Sequence, residues 1–489
     1  MSVVPVRVAA VDLGATSGRV MVGTVGPDRL ELEEVHRFAN RPIEVDGSLR
    51  WDLPALQREV LAGLLLAHAA GPLDGIGIDS WAIDYGLLDA AGELLELPYC
   101  YRDARTDGVA ALVHQTVPAA ELYDVTGLQE LPFTTIYQLI AAHRSADLEH
   151  AATLLLLPDL LVHWLTGQAG AERTNASTTG LYDVRSRQWA TDLLARLDVP
   201  ATILPALRDA GDRIGPVTAD AELAGVPVFA VGTHDTASAV VAVPFGDVPS
   251  AFISSGTWSL VGLELPAPVL TEEARLAGFT NEEGVDGTTR FLTNVMGLWV
   301  LSESIRSWAA AGVADVDLAS LLVAAEDAEP LRTIVDIDDP RLLPPGDQPA
   351  RLAALAREAG EPVPETPAEF TRCILDSLAV AYRRQVHRAA ALADRPVEVV
   401  HVVGGGVRND LLCQLTADAC ELPVLAGPAE ASALGNVLVQ ARSIGADLPD
   451  LRAMRDLVRR THHLRRFDPR PGLDWAAAEA RLQGVAPHA

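Results

Sequence analysis

The chain of 489 residues contains no lysine, so all 38 of its basic residues are arginines. A Walker P-loop and a protein-kinase core each place a specific lysine against the nucleotide phosphates, and both are therefore excluded. Schiff-base chemistry on a lysine, including the anchoring of pyridoxal phosphate, is excluded as well. If the protein handles a nucleotide, a metal ion, backbone N–H groups and arginine must balance the phosphate charge.

Basic charge and cysteine are also scarce. The formal net charge is −28, which argues against nucleic acid and anionic membrane as partners, because both need a basic surface. The four cysteines, Cys100, Cys373, Cys413 and Cys420, form no C-x-x-C pair, so we expect reduced thiols. No apolar run is long enough to cross a bilayer, and Asp12 comes too early for a complete secretory signal. We therefore expect a cytoplasmic protein, with two or three domains for this length.

Residues 6–23, VRVAAVDLGATSGRVMVG, contain two short apolar runs around a turn of small residues. Runs of this kind predict two buried strands. The N–H groups of the turn could surround an anion, and Asp12 at its edge would then need a divalent metal between its carboxylate and a phosphate. A plain tight hairpin with Asp12 as a turn residue is an equally good interpretation of this stretch alone.

The second half of the chain repeats this pattern. Residues 250–263 again combine an apolar run, a turn of small residues and a second apolar run. The similarity predicts an internal duplication, in which two hairpins can hold a nucleotide from two sides. A triple glycine at residues 404–406 lies between a predicted strand and a predicted helix, where the backbone can approach a phosphate or a flat ring.

Two other predicted strands end in polar residues. One ends at Asp79, and a polar cluster in this position is typical of ligand sites in α/β sheets. The other, over residues 226–231, leads into the sequence GTHDTAS, which contains His234 and Asp235. Asp235 is either a base in a fixed turn or the N-cap of a helix over residues 236–243. His234 is either a ligand or a packing residue.

The rest of the chain gives coarser expectations from its periodicity and composition. We predict a helix over residues 51–70 with Asp52 as its N-cap, a single helix over residues 154–167, a helix from Asn294 to about residue 311, and a long helix over residues 373–392. The polar stretch 173–179 is interpreted as a solvent-exposed loop, with the lining of a cleft as the alternative.

Seven motifs in order give the sequence a resemblance to the FGGY family of carbohydrate kinases, from residue 8 to about residue 445. They are AVDLGATSGRVMV, GIDSWAIDYGLLD, YRDART, GTHDTASAVVAVP, SSGTWSLVG, TNVMGLWVL and VVGGGVRND. The resemblance implies an α/β fold of the actin, Hsp70 and hexokinase type, with two RNase H-like domains and a catalytic cleft between them. The expected domains are residues 1–244, on the sugar and metal side with the catalytic aspartate, and residues 245–489, on the nucleotide side.

The resemblance also implies roles for single residues. Asp12 would serve Mg²⁺, and Asp235 would be the catalytic base. The implied sugar contacts are Ala82, His234, Asp235, Thr236 and Asn294. The implied ATP contacts are Ala15, Thr16, Ser17, Gly18, Arg19, Thr257, Ser302, Gly405 and Asn409. Two positions depart from the family pattern: Ala82 stands where a glycine is common, and Ser302 stands where a longer glutamine commonly reaches the nucleotide.

The activity that the resemblance implies is ATP-dependent phosphorylation of a ketose at its 1-hydroxyl, with L-rhamnulose as the favoured substrate and Mg²⁺ as cofactor. L-Fuculose, D-xylulose or another ketose is the alternative within the family. An actin- or Hsp70-like nucleotide switch without a sugar substrate is the alternative from another class. We expect no nucleic-acid or membrane partner, and both a monomer and a dimer remain open.

Overall fold

The computed structural model describes residues 5–144 and 148–483. Its strands are β1 (Val6–Leu13), β2 (Ser17–Gly26), β3 (Arg29–Ala39), β4 (Pro42–Val45), β5 (Ser48–Trp51), β6 (Gly75–Ser80), β7 (Tyr85–Leu88), β8 (Thr153–Leu156), β9 (Ala171–Glu172), β10 (Tyr182–Asp183), β11 (Gln188–Trp189), β12 (Leu207–Arg208), β13 (Arg213–Pro216), β14 (Pro227–Phe229), β15 (Ser250–Ser255), β16 (Ser259–Leu265), β17 (Thr280–Glu283), β18 (Thr289–Val295), β19 (Val399–Val403), β20 (Val424–Ala426) and β21 (Arg465–Phe467). Its helices are α1 (Leu53–Ala69), α2 (Val109–Val113), α3 (Ala119–Thr126), α4 (Thr135–Arg144), α5 (Leu157–Thr166), α6 (Arg173–Ala176), α7 (Thr191–Arg196), α8 (Asp235–Val241), α9 (Glu272–Leu276), α10 (Trp299–Ala310), α11 (Leu318–Glu326), α12 (Gln348–Glu358), α13 (Pro367–Ala393), α14 (Asp410–Cys420), α15 (Ala431–Ile444), α16 (Leu451–Thr461) and α17 (Trp475–Gln483).

The described residues form two compact units. The first unit contains the residues up to Pro244 together with Glu264–Phe291 and Glu430–Thr461. The second contains Phe245–Leu263, Leu292–Ala429 and the residues from His462 onward. Each unit therefore combines separate stretches of sequence, and the division into residues 1–244 and 245–489 stays a prediction. Over residues 5–144 and 148–483, no helix combines the length and the apolar character needed to cross a membrane.

The first unit is built around a six-stranded sheet with the order β13-β14-β6-β1-β2-β3. β1 is antiparallel to β2, as the apolar runs around a small-residue turn predict, and it is parallel to β6. β6 is in turn parallel to β14, which is antiparallel to β13. Every residue of β1 from Val8 to Leu13 is buried, because this strand lies in the middle of the sheet with neighbours on both sides.

Five strands of the second unit repeat this arrangement in the order β21-β20-β19-β15-β16. β15 is antiparallel to β16 and parallel to β19. β19 is parallel to β20, which is antiparallel to β21. The series matches β13-β14-β6-β1-β2 strand for strand and direction for direction. The internal duplication predicted from the two hairpins is confirmed.

Helices α8 and α15 of the first unit pack closely because glycines face their neighbours. A Cβ atom on Gly435, in α15, would lie 1.8 Å from the carbonyl oxygen of Ser238, in α8. A Cβ atom on Gly23, in β2, would lie 2.4 Å from the side chain of Val437. Any larger residue at either position would push α15 away, so these glycines fix where α8 lies against the sheet.

Two helix predictions are confirmed. Helix α1 begins after Asp52, whose side chain accepts a hydrogen bond from the Ala55 N–H at 3.0 Å, as an N-cap does. The predicted helix over residues 373–392 is present within α13, which extends it at both ends. The four cysteines are all free and buried, which agrees with the prediction of reduced thiols.

Three local predictions are wrong. Residues 154–156 form β8, which pairs with β7, so the helix begins only at Leu157. Asn294 lies in β18, and helix α10 begins at Trp299. A short run of leucines or of small polar residues does not by itself distinguish a buried strand from a helix start.

The third error concerns residues 173–179, predicted as a solvent-exposed loop. They include the short helix α6, and Thr174, Asn175 and Thr179 are buried. Their hydroxyl groups bond to the local backbone; Thr179 Oγ1, for example, donates to the Ala176 carbonyl at 2.6 Å. Polar side chains that satisfy one another and the backbone can lie in a protein interior, and composition alone does not reveal this.

Candidate active site

Three aspartates lie at one edge of the first sheet. Asp12 and Asp79 are direct register partners near the ends of the parallel strands β1 and β6. The turn before Asp235 joins the same edge, because the Ser80 N–H donates to the Thr233 carbonyl at 2.9 Å and Ser80 pairs with His234. Carboxyl ends of parallel strands are where open α/β sheets bind their ligands.

The three carboxylates interact electrostatically. Burial raises the pKa of Asp79 well above its ordinary value, and the negative charges of Asp12 and Asp235 raise it further. Asp79 Oδ2 accepts a hydrogen bond from Asn436 Nδ2 at 2.6 Å, but Asp79 Oδ1 is buried without a partner in the described part of the chain. The three carboxyl groups therefore repel one another when they are ionised, and a bound cation would relieve that repulsion.

Asp235 differs from the other two aspartates in its exposure. Asp79 is fully buried and Asp12 is 6% exposed, whereas the side chain of Asp235 is 31% exposed. Burial still raises the pKa of Asp235; His234 opposes this and Asp12 adds to it. Of the three groups, Asp235 is thus the carboxylate that a small molecule can reach.

The alternative role of Asp235 as a helix N-cap is wrong. Asp235 is the first residue of α8, and the N-cap position belongs to His234, whose side chain makes no capping hydrogen bond. Asp235 Oδ1 instead accepts a hydrogen bond from Thr236 Oγ1 at 3.1 Å. The carboxylate is therefore not needed to complete the helix, and it is available for chemistry.

His234 is not a simple packing residue either. Its Nδ1 lies 3.1 Å from Glu282 Oε2 and 3.2 Å from Arg290 Nη2, and its Nε2 lies 3.6 Å from Asp235 Oδ1. Thr236, the next predicted sugar contact, is buried beside them. His234, Asp235 and Thr236 thus form one polar group at the start of α8.

Asn40 stabilises the turn between β1 and β2 with two hydrogen bonds. The Asn40 side chain donates to the Gly14 carbonyl at 3.0 Å, and its backbone N–H donates to the Thr16 carbonyl at 3.0 Å. Both bonds are accepted by carbonyl groups of the turn, so Asn40 does not occupy the N–H groups at its tip. Thr16 is exposed, and Ala15 and Ser17 are half-buried. The turn therefore has the composition and the exposure of an anion-binding loop.

Gly18 has a packing role. A Cβ atom at this position would lie 2.3 Å from the Phe38 ring and 2.9 Å from the Leu13 side chain. The glycine is therefore required by the hairpin itself, whether or not it contacts a ligand.

Arg19 is engaged by two carboxylates. One of its Nη atoms lies 2.5 Å from Asp12 Oδ2, and the other donates to Glu430. Arg19 thus neutralises Asp12 and ties it to the start of α15. A ligand that recruits either Asp12 or Arg19 must rearrange this ion pair.

Ala82 occupies a position that tolerates a side chain. Ala82 is half-buried and does not have a positive φ, whereas the next residue, Ile83, has a φ of 72°. The Ala82 carbonyl accepts a hydrogen bond from the Asp84 N–H at 3.0 Å. The alanine therefore needs no strained backbone, and a backbone contact to a ligand remains compatible with it.

In the second unit, the turn of the second hairpin is bonded to helix α10. The Trp299 N–H donates to the Thr257 carbonyl at 3.1 Å, and the Leu298 N–H donates to the Gly256 carbonyl at 3.1 Å. Ser302 lies one turn into this helix, and Asn294 lies near the end of β18, the strand that precedes it. The fold thus places Thr257, Ser302 and Asn294 on neighbouring elements.

The triple-glycine turn packs against the same hairpin. A Cβ atom on Gly406 would lie 2.0 Å from Ser255 Oγ, so glycine is needed there for close approach. Gly405 has open space around its Cβ position. Asn409 caps α14 through Oδ1, which accepts from the Leu412 N–H at 2.9 Å; its Nδ2 is buried without a partner in the described residues.

A metal ion would need ligands from outside the protein. Among the described residues, no group of three or more His, Cys, Asp or Glu side chains has the arrangement of a metal site. Mg²⁺ characteristically uses one or two carboxylates and completes its shell with water and substrate phosphates. Asp12, with the partnerless Asp79 Oδ1 beside it, fits that kind of incomplete site.

Sequence reasoning missed the residues that support these groups. They are Glu172, Glu282, Arg290, Glu430 and Asn436. Arg19 and Glu430 are 411 positions apart, and Arg290 and His234 are 56 apart, so no local pattern connects them. Of these residues, Glu172 has the most recognisable sequence context, because it directly precedes the polar stretch 173–179. Its carboxylate accepts hydrogen bonds from the N–H and hydroxyl groups of both Thr174 and Thr233.

Comparison with known proteins gives a consistent result over the whole chain. Residues 8–242 match the N-terminal domain, and residues 251–444 the C-terminal domain, of the FGGY family of carbohydrate kinases. The rhamnulokinase of Bacteroides thetaiotaomicron is 41% identical over 476 residues, which cover 96% of this chain and 97% of the relative. The rhamnulokinase of Pectobacterium carotovorum is 43% identical, covering 98% of this chain and 96% of the relative.

Solved structures of sugar and polyol kinases share the fold. Gluconate kinase from Lactobacillus acidophilus aligns with a TM-score of 0.79 at 15% identity, covering 98% of this chain and 96% of that one. Plasmodium falciparum glycerol kinase with ADP aligns with a TM-score of 0.76 at 15% identity, covering 97% and 96%. At this level of identity the likeness establishes the actin- and hexokinase-like fold.

Proposed function

The chain belongs to the FGGY family of carbohydrate kinases, and from that premise we propose that it transfers the γ-phosphoryl group of ATP to the 1-hydroxyl of L-rhamnulose. The observation that carries the choice of sugar is the 41–43% identity, over nearly the full chain, to proteins named rhamnulokinase. The geometry at the start of α8 agrees with this chemistry, because it offers one reachable carboxylate among polar neighbours.

Asp235 is the proposed general base. A sugar hydroxyl is a weak nucleophile, and a carboxylate that accepts its proton assists in-line attack on the γ-phosphorus. The proton moves from the 1-hydroxyl to the Asp235 carboxylate as the new O–P bond forms, and ADP leaves. The support for this role is the exposure of Asp235 and the lack of a structural role for its carboxylate in capping α8.

The proposed sugar contacts offer a ring nitrogen, a hydroxyl group, a backbone group and an amide. His234 and Thr236 flank Asp235 in the chain and offer a ring nitrogen and a hydroxyl group as hydrogen-bonding partners. Ala82 would contact the sugar through its backbone, and the alanine side chain is compatible with this because the φ of Ala82 is not positive. Asn294 would contribute an amide that can both donate to and accept from sugar hydroxyls.

The proposed nucleotide contacts come from both hairpins. The turn residues Ala15, Thr16, Ser17 and Gly18 would bind phosphate oxygens through their N–H groups, and Arg19 through its guanidinium. Thr257, at the tip of the second hairpin, would also bind phosphate. Gly405 and Asn409 would contact the adenosine, with the buried Asn409 Nδ2 as an available donor. Ser302 is too short for the glutamine contact common in the family, so we expect a water molecule to bridge it to the nucleotide.

Asp12 is the proposed protein ligand of Mg²⁺. When bound, Mg²⁺ neutralises charge on the phosphates and orients the transferred group. Asp12 would hold the ion directly or through water, and Asp79, whose Oδ1 is buried without a partner among the described residues, would offer a further oxygen beside it. Arg19 would then leave Asp12 and turn to a phosphate.

We expect Asp12→Asn to raise the Mg²⁺ concentration needed for half-maximal activity by about tenfold or more, because the variant loses a charged ligand of the ion. The measurement is a Mg²⁺ titration at saturating sugar, repeated as binding of Mn²⁺ in the presence of ADP. Glu430→Gln is the matched control, since it removes the other partner of Arg19 and leaves Asp12 in place. An unchanged titration in Asp12→Asn, or an equal shift in both variants, would contradict the metal role.

The substrate proposal is tested with purified protein and a panel of ketoses and polyols, using coupled detection of ADP. We expect the highest kcat/KM with L-rhamnulose and a low rate of ADP release without sugar. A clear preference for L-fuculose, D-xylulose or another sugar would replace the substrate within the same family. Rapid ADP release that no sugar stimulates would instead favour a nucleotide switch.

The cellular setting is proposed on two observations. All four cysteines are free and buried, as is usual for proteins of the reducing cytoplasm. The net charge of −28 disfavours nucleic acid and anionic membrane as partners. We therefore propose a cytoplasmic enzyme whose partners are a sugar and ATP.

A further inference from the structure

Four charged or ionisable side chains of the first unit follow one another at short distances. Glu282 Oε2 lies 2.9 Å from Arg290 Nη1 and 3.1 Å from His234 Nδ1. His234 Nε2 lies 3.6 Å from Asp235 Oδ1. The exposed fraction of the side chain is 0% for Arg290, 8% for Glu282 and for His234, and 31% for Asp235. The series therefore begins in the interior and ends at the partly exposed carboxylate of Asp235.

The interior end of the series is a buried ion pair. Burial alone would raise the pKa of Glu282, but Arg290 and His234 together lower it below its ordinary value, so the carboxylate is ionised. Arg290 is fixed in place by further contacts: its Nε donates to the Glu283 carbonyl at 3.1 Å, and its Nη2 lies 3.4 Å from the Thr174 carbonyl. A guanidinium held at several points is a rigid support for the groups that it contacts.

The contacts at both ring nitrogens of His234 bear on which nitrogen carries a proton. Arg290 Nη2 can only donate, so its contact with Nδ1 at 3.2 Å favours a ring proton on Nε2, whereas Glu282 Oε2, 3.1 Å from the same atom, favours a ring proton on Nδ1. If the ring is instead doubly protonated, Nδ1–H faces Glu282 and Nε2 again carries a proton. Only a neutral ring protonated at Nδ1 would leave a lone pair facing the Asp235 carboxylate, and that arrangement is repulsive.

We propose that Glu282 and Arg290 are positioning residues that hold His234 with its Nε2–H toward Asp235 and thereby fix the orientation of the base. The inference rests on the role of Asp235 proposed above. Neither Glu282 nor Arg290 needs to touch the sugar, because both act through His234. Asp235 Oδ1 faces both His234 Nε2, at 3.6 Å, and Thr236 Oγ1, at 3.1 Å, so we assign Oδ2 to accept the substrate proton.

The test begins with Glu282→Gln and a matched control, Glu283→Gln. Both residues are buried glutamates in β17, but their side chains alternate between the two faces of the strand. Glu283 accepts from Tyr182 Oη at 3.0 Å and pairs with Arg187, and it does not contact His234 through its carboxylate. We expect Glu282→Gln to lower kcat by about 10- to 100-fold, as loss of an orienting partner often does, with little change in the KM for ATP. Glu283→Gln should keep kcat within about twofold.

A spectroscopic measurement separates positioning from loss of stability. In protein labelled with ¹⁵N-histidine, the His234 signals are assigned by their disappearance in His234→Asn. We expect the chemical shifts of the wild-type protein to report a protonated Nε2, and those of Glu282→Gln to report a changed tautomer mixture. If Glu282 had only a structural role, its substitution would lower the fraction of folded protein. The His234 chemical shifts and the kcat of the protein that does fold would stay unchanged.

If Glu282→Gln does not fold, the double variant Glu282→Met with Arg290→Met replaces it. Exchanging both members of a buried ion pair for apolar side chains is often neutral for stability. The double variant should therefore fold and still show the loss of kcat and the altered His234 shifts.

Wild-type kcat per folded site together with unchanged His234 shifts, in either variant, would overturn the proposal. The outcome is distinguishable from failure of the proposed function, because Asp235→Asn is assayed in parallel. If Asp235→Asn loses turnover while the Glu282 variants do not, the base is supported and only the positioning role fails. If Asp235→Asn retains turnover, the proposed base fails.

Discussion

Asp235→Asn is expected to lower kcat by about 10²- to 10⁴-fold, the range that a well-placed general base contributes. The amide keeps the shape of the side chain but cannot accept the proton of the sugar hydroxyl. Asp235 does not cap α8, and its carboxylate is partly exposed, so the substitution should leave the fold intact. The measurement is steady-state kcat and KM with L-rhamnulose and ATP, together with thermal unfolding.

The control for this prediction is Asp192→Asn, a carboxylate-to-amide change at an exposed residue in the first turn of α7. It should keep kcat within about twofold. We also expect Asp235→Asn to bind ATP with nearly the wild-type affinity, since the lost group acts on the sugar hydroxyl. A kcat close to wild type in Asp235→Asn, in folded protein, would remove Asp235 from the role of base.

The pH dependence gives a further check on the same residue. Burial raises the pKa of Asp235, so the ionised form needed for catalysis is lost at a higher pH than for an ordinary aspartate, whose pKa is about 3.9. The acid limb of kcat/KM should accordingly fall at a pH above that value as the medium is acidified. An acid limb at or below the ordinary value would mean that a different group limits the rate.

Gly435→Ala is the second substitution with a large expected effect. The new Cβ atom would lie 1.8 Å from the Ser238 carbonyl oxygen and 2.6 Å from its carbonyl carbon, and both are backbone atoms that cannot rotate away. Overpacking of this kind commonly costs about 1–3 kcal/mol, and we expect about 3 kcal/mol or more here because a whole helix must shift. The measurement is the free energy of unfolding in urea.

The same substitution should also reduce activity. Helix α8 begins at Asp235, so a displacement of α8 from α15 moves the base relative to the turn that precedes it. Gly26→Ala is the matched control, since the nearest atom to its new Cβ would be 3.5 Å away, an ordinary contact. If Gly435→Ala unfolds at the same urea concentration as Gly26→Ala and keeps kcat, the close packing of α8 on α15 is not what holds Asp235.

The parts of the fold that sequence reasoning predicted are those with a local signature. The two hairpins each combine apolar runs with a turn of small residues, and the duplication follows from their similarity. Asp52 before α1 has the type and position of an N-cap, and it is one. The general location of Asp235, just after a buried strand and before a helix, was also predicted from the order of apolar and polar residues. In each case the decisive information lies in a short local pattern or in the recurrence of one.

The parts that could not be predicted depend on distant residues. The stretch 173–179 looks like a solvent loop because it is rich in threonine, serine and asparagine, and only its partners show that it is buried. Glu172 alone accepts four hydrogen bonds that join this stretch to Thr233. Glu282 and Arg290 come from β17 and β18, and nothing in their own neighbourhood connects them with His234.

The sequence also gives only part of the environment of Arg19, the residue that follows the proposed phosphate-binding turn. The sequence shows that Arg19 follows the turn, and a role toward phosphate is a natural interpretation. The structure adds that Arg19 pairs with both Asp12 and Glu430, so a phosphate or a metal ion must compete with these ion pairs. Competition of this kind depends on a residue more than four hundred positions away, and a local pattern cannot reveal it.

The most direct test of the account follows the γ-phosphoryl group itself. Wild-type protein and Asp235→Asn are each mixed in excess with [γ-³²P]ATP, Mg²⁺ and L-rhamnulose, and the labelled products are separated after a single turnover. We expect the wild type to transfer the label to the 1-oxygen of the sugar, and Asp235→Asn to transfer it about 10²- to 10⁴-fold more slowly. Label that appears as inorganic phosphate without a sugar ester, or equally fast transfer by both proteins, would contradict this expectation.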